Sequence, residues 1–171
     1  MDSSRWYGLL GPPPRPGGRP ALSVVWTQLL VGEYPEPDDA GWLHTQHGVT
    51  AVLSLQDEGD LASKGLVLAR LEEAYGRHGV KFARIPVPDG DDRHLVARLD
   101  DIVGLLASWL EAGERVYLHC NAGLNRAPTA AIAYLHAHVG LRLSEAVEHV
   151  KRQRSCVPYV VALEGHFRRP R

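Results

Sequence analysis

Cysteine is scarce in this chain, with two in 171 residues, Cys120 and Cys156. That is too few for a disulfide framework or a four-cysteine zinc ribbon. It leaves buried apolar thiols, a single disulfide or one reactive nucleophile. Net charge is nearly absent as well. Nineteen Lys and Arg stand against twenty Asp and Glu, for a balance of −1. Dedicated nucleic-acid binders are usually basic, so that class is set aside, although a sum can conceal a local cluster. Long apolar runs are also missing. The most apolar windows, such as residues 102–110, are interrupted by Gly or charge, well short of the ~20 residues that span a bilayer. The first ten residues lack the basic-then-apolar order of an export signal. The expectation is a soluble cytoplasmic protein with no membrane or nucleic-acid partner.

What is present suits one globular core. Apolar residues make up 44% and charged residues 23%, close to ordinary globular usage and enough for a single domain. Five of the 12 prolines lie in residues 11–20. Proline lacks the backbone N–H and glycine resists ordering, so residues 1–21 read as a flexible Pro/Gly-rich arm, with a partner-groove ligand as the sharper alternative. The domain proper is then 22–168.

Within it, strand-like and helix-like patterns alternate. Residues 22–26, 29–31, 49–55, 80–87 and 115–119 are short and rich in apolar or β-branched residues, as strands are. Helical spacing marks 37–47, 66–78, 95–110, 127–139, 144–154 and 158–167. Gly79 and Gly113 serve as stops, and Pro128 is tolerated in a first turn. This alternation predicts an α/β domain with a central, mostly parallel sheet flanked by helices. Such sheets bind ligands beyond the carboxyl ends of their strands, which directs attention to the junction after His119.

That junction reads His119-Cys120-Asn121-Ala122-Gly123-Leu124-Asn125-Arg126-Ala127-Pro128. A cysteine ends a buried strand, and an arginine opens a helix six residues later. A tight loop at a helix N-terminus turns successive N–H groups inward and makes an anion cradle. Arg126 adds a planar two-pronged donor for phosphate oxygens. The same positive field favours thiolate over thiol at Cys120. One loop could thus hold a phosphate dianion and supply the nucleophile that attacks it. The plainer alternative is a buried apolar thiol and a surface arginine.

The stretch HCNAGLNRA resembles the HC-x5-R signature of the cysteine-dependent protein tyrosine and dual-specificity phosphatases. LLVGEYPEPDDAGWL, GVTAVLSLQDEGDL and KRQRSCVP follow the order seen in the glucan phosphatases, the laforin and plant starch-phosphatase group. The likeness covers roughly residues 22–165. It implies a compact dual-specificity-phosphatase fold and hydrolysis of phosphomonoesters through a phosphocysteine, with no metal or other cofactor. Cys120 is then the nucleophile and Arg126 the phosphoryl clamp. His119 shapes the loop, and the amides of Asn121, Ala122, Gly123, Leu124, Asn125 and Arg126 line the cradle. Members of the family carry a general acid on a loop upstream of the cysteine. Here that loop is residues 86–92, and Asp89, 31 residues before Cys120, is the choice. Asp91 is the alternative, and Asp92 reads as a solvated turn.

Three departures from the family pattern stand out. Ala127 replaces a Ser or Thr that stabilises the departing thiolate, which implies slower phosphoenzyme breakdown. Asn125 replaces a Gly typical of the glucan group, and Asn tolerates left-handed backbone. Gly90 stands where plant members place an aromatic. Cys156 reads as a structural thiol, with a reversible disulfide to Cys120 as the sharper idea. Lys151, Arg152 and Arg154 read as a solvated helix end, and Trp42, Trp109 and Tyr159 as packing residues. The substrate classes implied are phosphorylated glucan and phosphoprotein, with phosphoinositide ranked lower. The competing function is a catalytically silent phosphate-binding module.

Overall fold

A computed structural model describes residues 18–168. Most of the proline-rich arm expected over 1–21 therefore lies outside the described residues. Five strands, β1 (Leu22–Trp26), β2 (Leu29–Gly32), β3 (Ala51–Ser54), β4 (Lys81–Arg84) and β5 (Val116–His119), form one sheet in the order β1-β2-β5-β3-β4. β1 pairs antiparallel with β2, and every other pairing is parallel. This is the mostly parallel α/β sheet that the alternating pattern predicts.

Among the described residues seven α-helices surround it: α1 (Ala40–His47), α2 (Glu58–Ser63), α3 (Leu68–Arg77), α4 (Asp92–Glu111), α5 (Arg126–Tyr134), α6 (Leu143–Gln153) and α7 (Val160–Arg168). Successive side chains of a strand face opposite sides, and the sheet uses both. Leu29, Val31, Leu53, Val116 and Leu118 enter one core with residues of α4, α5, α6 and α7. Leu30, Val52 and Tyr117 enter the other with α1 and α3. Every residue of α5 is buried. Four of its nine residues are alanine, which lets a helix lie close against a sheet and its neighbouring helices without overpacking.

The sequence reading runs a helix through 127–139. The structure ends α5 at Tyr134 and continues as a π-helical segment, Leu135–Val139, closed by Gly140 at φ 89°. The reading also has no helix at 58–63, where α2 lies. β4 is half the length expected, because Pro86 and Pro88 lack the N–H a sheet ladder needs.

The registers set the site. Gly32 pairs with His119, His119 with Ser54, and Ser54 with Arg84. Four parallel strands thus end in one row, and the loops that leave this row converge on the same space.

Candidate active site

The loop after β5 is built from outside. His119 Nδ1 lies 3.0 Å from the Cys120 carbonyl, which makes Nδ1 the protonated ring nitrogen. The carbonyl of Asn121 accepts from Tyr34 N at 2.9 Å. Those of Ala122 and Gly123 accept from Arg154 Nη2 and Nε at 3.0 and 2.7 Å. Leu124 O accepts from Val157 N at 2.8 Å, and Asn125 O accepts from Thr129 N and Oγ1. Every carbonyl from 120 to 125 is therefore held by a group outside the loop. In a trans peptide the C=O and the following N–H point opposite ways. Anchoring six carbonyls outward turns the amides of residues 121–126 inward, and a concave array of N–H dipoles results. Arg126 opens α5 at the same point, so the positive end of the helix dipole adds to the array.

Gly123 carries the tight turn, with φ 65°. A side chain there would meet Gly32 backbone atoms and Arg154 Nη2 at 2.6 Å, so only glycine fits. Asn125 has φ −118°. The left-handed tolerance expected of it is not used, and its side chain instead donates to Val157 O at 2.7 Å.

Cys120 and Arg126 are 2% and 1% exposed. Arg126 Nη1 donates to Val87 O at 2.7 Å and to Asp60 Oδ2 at 2.6 Å. Its Nε is buried with no hydrogen-bond partner among the described residues. Asp89 Oδ1 stands 3.5 Å from that nitrogen, outside hydrogen-bonding geometry. An uncompensated buried donor is costly, and an acceptor such as an oxyanion would satisfy it. Burial opposes the charge on Arg126. Cys120, Asp60 and Asp89 together outweigh it and hold the guanidinium more firmly protonated than usual. Asp89 is shifted upward from the ordinary carboxylate range, chiefly by desolvation. Asp60 adds to the shift and Arg126 opposes it. Asp91 is occupied differently. Its side chain caps α4 by accepting from His94 N at 2.8 Å. His119 is pushed down to about 4 by burial, so the ring is neutral at physiological pH. It acts on the loop through shape and a hydrogen bond, not through charge.

Two residues escaped the sequence reading. Arg154, expected in a solvated basic run with Lys151 and Arg152, is buried and braces the loop carbonyls. Its Nη1 also reaches Ser23 Oγ at 3.3 Å. Lys151 and Arg152 are exposed as expected. Asp60 was not singled out at all. The Asp57-x-x-Asp60 spacing is a legible capping box, but nothing local reveals its contact with Arg126. Tyr159, read as packing, is partly buried against the first core, and burial and then the charge of Asp89 raise its phenol. Cys156 is a buried free thiol, pushed up by burial against the opposing charges of Arg154 and Lys151. Cys120 is also free.

Residues 36–163 match the family model described as dual specificity phosphatase, catalytic domain. Laforin from Mus musculus is 32% identical over 146 residues, covering 79% of this chain and 44% of that protein. The amyloplastic phosphoglucan phosphatase DSP4 of Castanea sativa is 32% identical over 146 residues, covering 84% of this chain and 39% of that protein. The chain thus spans less than half the length of these relatives. Among solved structures, Tk-PTP in its active form superposes with a TM-score of 0.73 at 22% identity, over 87% of this chain and 97% of that one. No helix among the described residues is long and apolar enough to cross a membrane.

Proposed function

The chain belongs to the dual specificity phosphatase catalytic-domain family, and from that premise we propose that it hydrolyses phosphomonoesters through Cys120, Arg126 and Asp89. The observation that carries this reading is the set of outward-tied carbonyls around Cys120, with the unpartnered Nε of Arg126 beside it. Five of the amides that line the cradle belong to Asn121, Ala122, Gly123, Leu124 and Asn125, and the sixth to Arg126.

The Cys120 thiolate attacks phosphorus as the ester P–O bond breaks, and a phosphocysteine forms. Asp89 gives its proton to the departing alkoxide oxygen. The resulting carboxylate then takes a proton from water, whose oxygen displaces the sulfur. Orthophosphate leaves and the thiolate returns. The inward amides and Arg126 hold the equatorial oxygens, where charge is spread in the transition state. The raised position of Asp89 supports its role, because an acid must still carry its proton when the thiolate is formed.

Phosphorylated glucan is the substrate class we favour. The name of the chestnut relative states that class. The charge around the strand-end row agrees with it. Arg84 is engaged by Gln56 O and Glu58, and Arg154 by the loop carbonyls. Neither is left to grip a second phosphate, as a multiply phosphorylated inositol requires.

Purified protein should hydrolyse an aryl phosphate without added metal, and Cys120→Ser should abolish turnover. Identical rates for the two proteins would sink the mechanism. A panel of phosphoglucan, phosphopeptides and phosphoinositides then decides the substrate. Release from phosphoglucan at least tenfold faster than from the others is expected, and a preference for phosphopeptide would overturn the assignment.

A further inference from the structure

Asp60 lies one loop away from the cradle, yet its carboxylate receives three donors. Oδ2 accepts from Arg126 Nη1 at 2.6 Å and from Asp57 N at 2.9 Å. Oδ1 accepts from Asn121 Nδ2 at 2.6 Å. Asn121 Oδ1 in turn accepts from Gln56 Nε2 at 2.7 Å. Asp60 N donates to Asp57 Oδ1 at 2.8 Å, which locks the first turn of α2. The carboxylate is buried and cannot rotate without breaking a charge-assisted bond or the helix start. The contact spans 66 residues of chain and joins the start of α2 to the start of α5.

We infer that Asp60 is the positioning carboxylate of this site, holding the Nη1 edge of Arg126 so that Nε faces the phosphoryl group. A guanidinium has five N–H donors in one plane. Fixing Nη1 between Asp60 and Val87 O leaves the plane one orientation. The tie between Asp60 and Asn121 fixes the second residue of the loop in the same stroke. Asp60 also supplies negative charge near Asp89 without touching it. The groups facing Asp89 are Arg126, Asp60, Asp57, the Tyr159 phenol and the Gly90 amide. Of these, the two aspartates favour its protonated form.

This inference rests on the proposed mechanism, and the experiment separates the two. Wild type, Cys120→Ser, Asp60→Asn and Asp60→Glu are compared in aryl phosphate turnover against pH, inhibition by orthophosphate and thermal melting. An asparagine turns an NH2 toward Asn121, so that amide and Gln56 behind it must flip, and the charge-assisted bond to Arg126 is lost. Asp60→Asn should lower kcat/KM and weaken orthophosphate inhibition by about 10- to 100-fold each, as expected for a lost charge-assisted bond. Its basic limb should move to lower pH, because Asp89 then loses its proton sooner. Asp60→Glu keeps the charge and should restore the limb more fully than the rate. A merely structural role would lower melting temperature without moving that limb.

If Asp60→Asn melts like wild type and keeps both the limb and the orthophosphate inhibition, the inference is overturned. If Asp60→Asn does not fold, Asp60→Glu decides. Weakened orthophosphate inhibition with an unmoved limb supports the inference, and unchanged inhibition refutes it. Turnover that survives Cys120→Ser refutes the mechanism itself, a result distinct from either.

Discussion

Asp89 and Asp91 are two residues apart, and the fold gives them different surroundings. Asp89 faces Arg126 at 3.5 Å, while Asp91 is spent as the cap of α4. Asp89→Asn should therefore slow alkyl phosphates by about 100-fold or more and aryl phosphates with good leaving groups far less. Asp91→Ala should cost about 1 kcal/mol of stability and leave the leaving-group dependence unchanged. A leaving-group series on both variants checks the pair. His119 offers a second test at this scale. Its folded value near 4 lies below the usual 6.5, so the unfolded chain binds more protons between those limits. Its contribution to stability is fully present above pH 6.5 and is lost as pH falls toward 4, a loss of about 3 kcal/mol. Urea unfolding across that window should show the decline, and His119→Asn should flatten it.

Among the elements, the β5–loop–α5 junction was the most legible in sequence, because Cys120, Gly123 and Arg126 lie within one stretch that forms a single strand–loop–helix unit. The strands and most helices were legible for the same reason, since periods of two and 3.6 are local. Asp60 and Arg154 were not. Their partners stand 66 and 31 residues away, and each local setting looks ordinary: a capping box for one, a basic helix end for the other. α2 was overlooked because six residues give too little periodicity to register. The brace from the end of α6 is testable on its own. Arg154→Met removes the donors to Ala122 O and Gly123 O and leaves both carbonyls unsatisfied. Stability should fall by about 2 kcal/mol. KM for aryl phosphate should rise more than kcat falls, because the inward amides lose their fixed aim. Melting and steady-state kinetics on one preparation report both.

Across the whole molecule, the two cores divide the labour. The face carrying α4, α5, α6 and α7 buries Cys120 and the helix that starts at Arg126. The face carrying α1 and α3 supports the sheet from the other side. The balanced charge of the full sequence conceals this arrangement. It averages over Arg126 and an acidic neighbourhood of Asp57, Asp60 and Asp89 that meets it at one site.

The row of strand ends Gly32, His119, Ser54 and Arg84 has a consequence for how such a protein can change over generations. Each loop springs from its own strand at the same level, and the ladder between strands holds that level whatever happens beyond it. The loop after β4 can change residues other than Val87, Asp89 and Asp91, which touch Arg126 or cap α4, without shifting the cradle after β5. Positions on one loop can therefore drift while another loop keeps its geometry. Gly90, beside Asp89 at φ 75°, opens on space where an added side chain would meet nothing within 4 Å, the strain of its backbone aside.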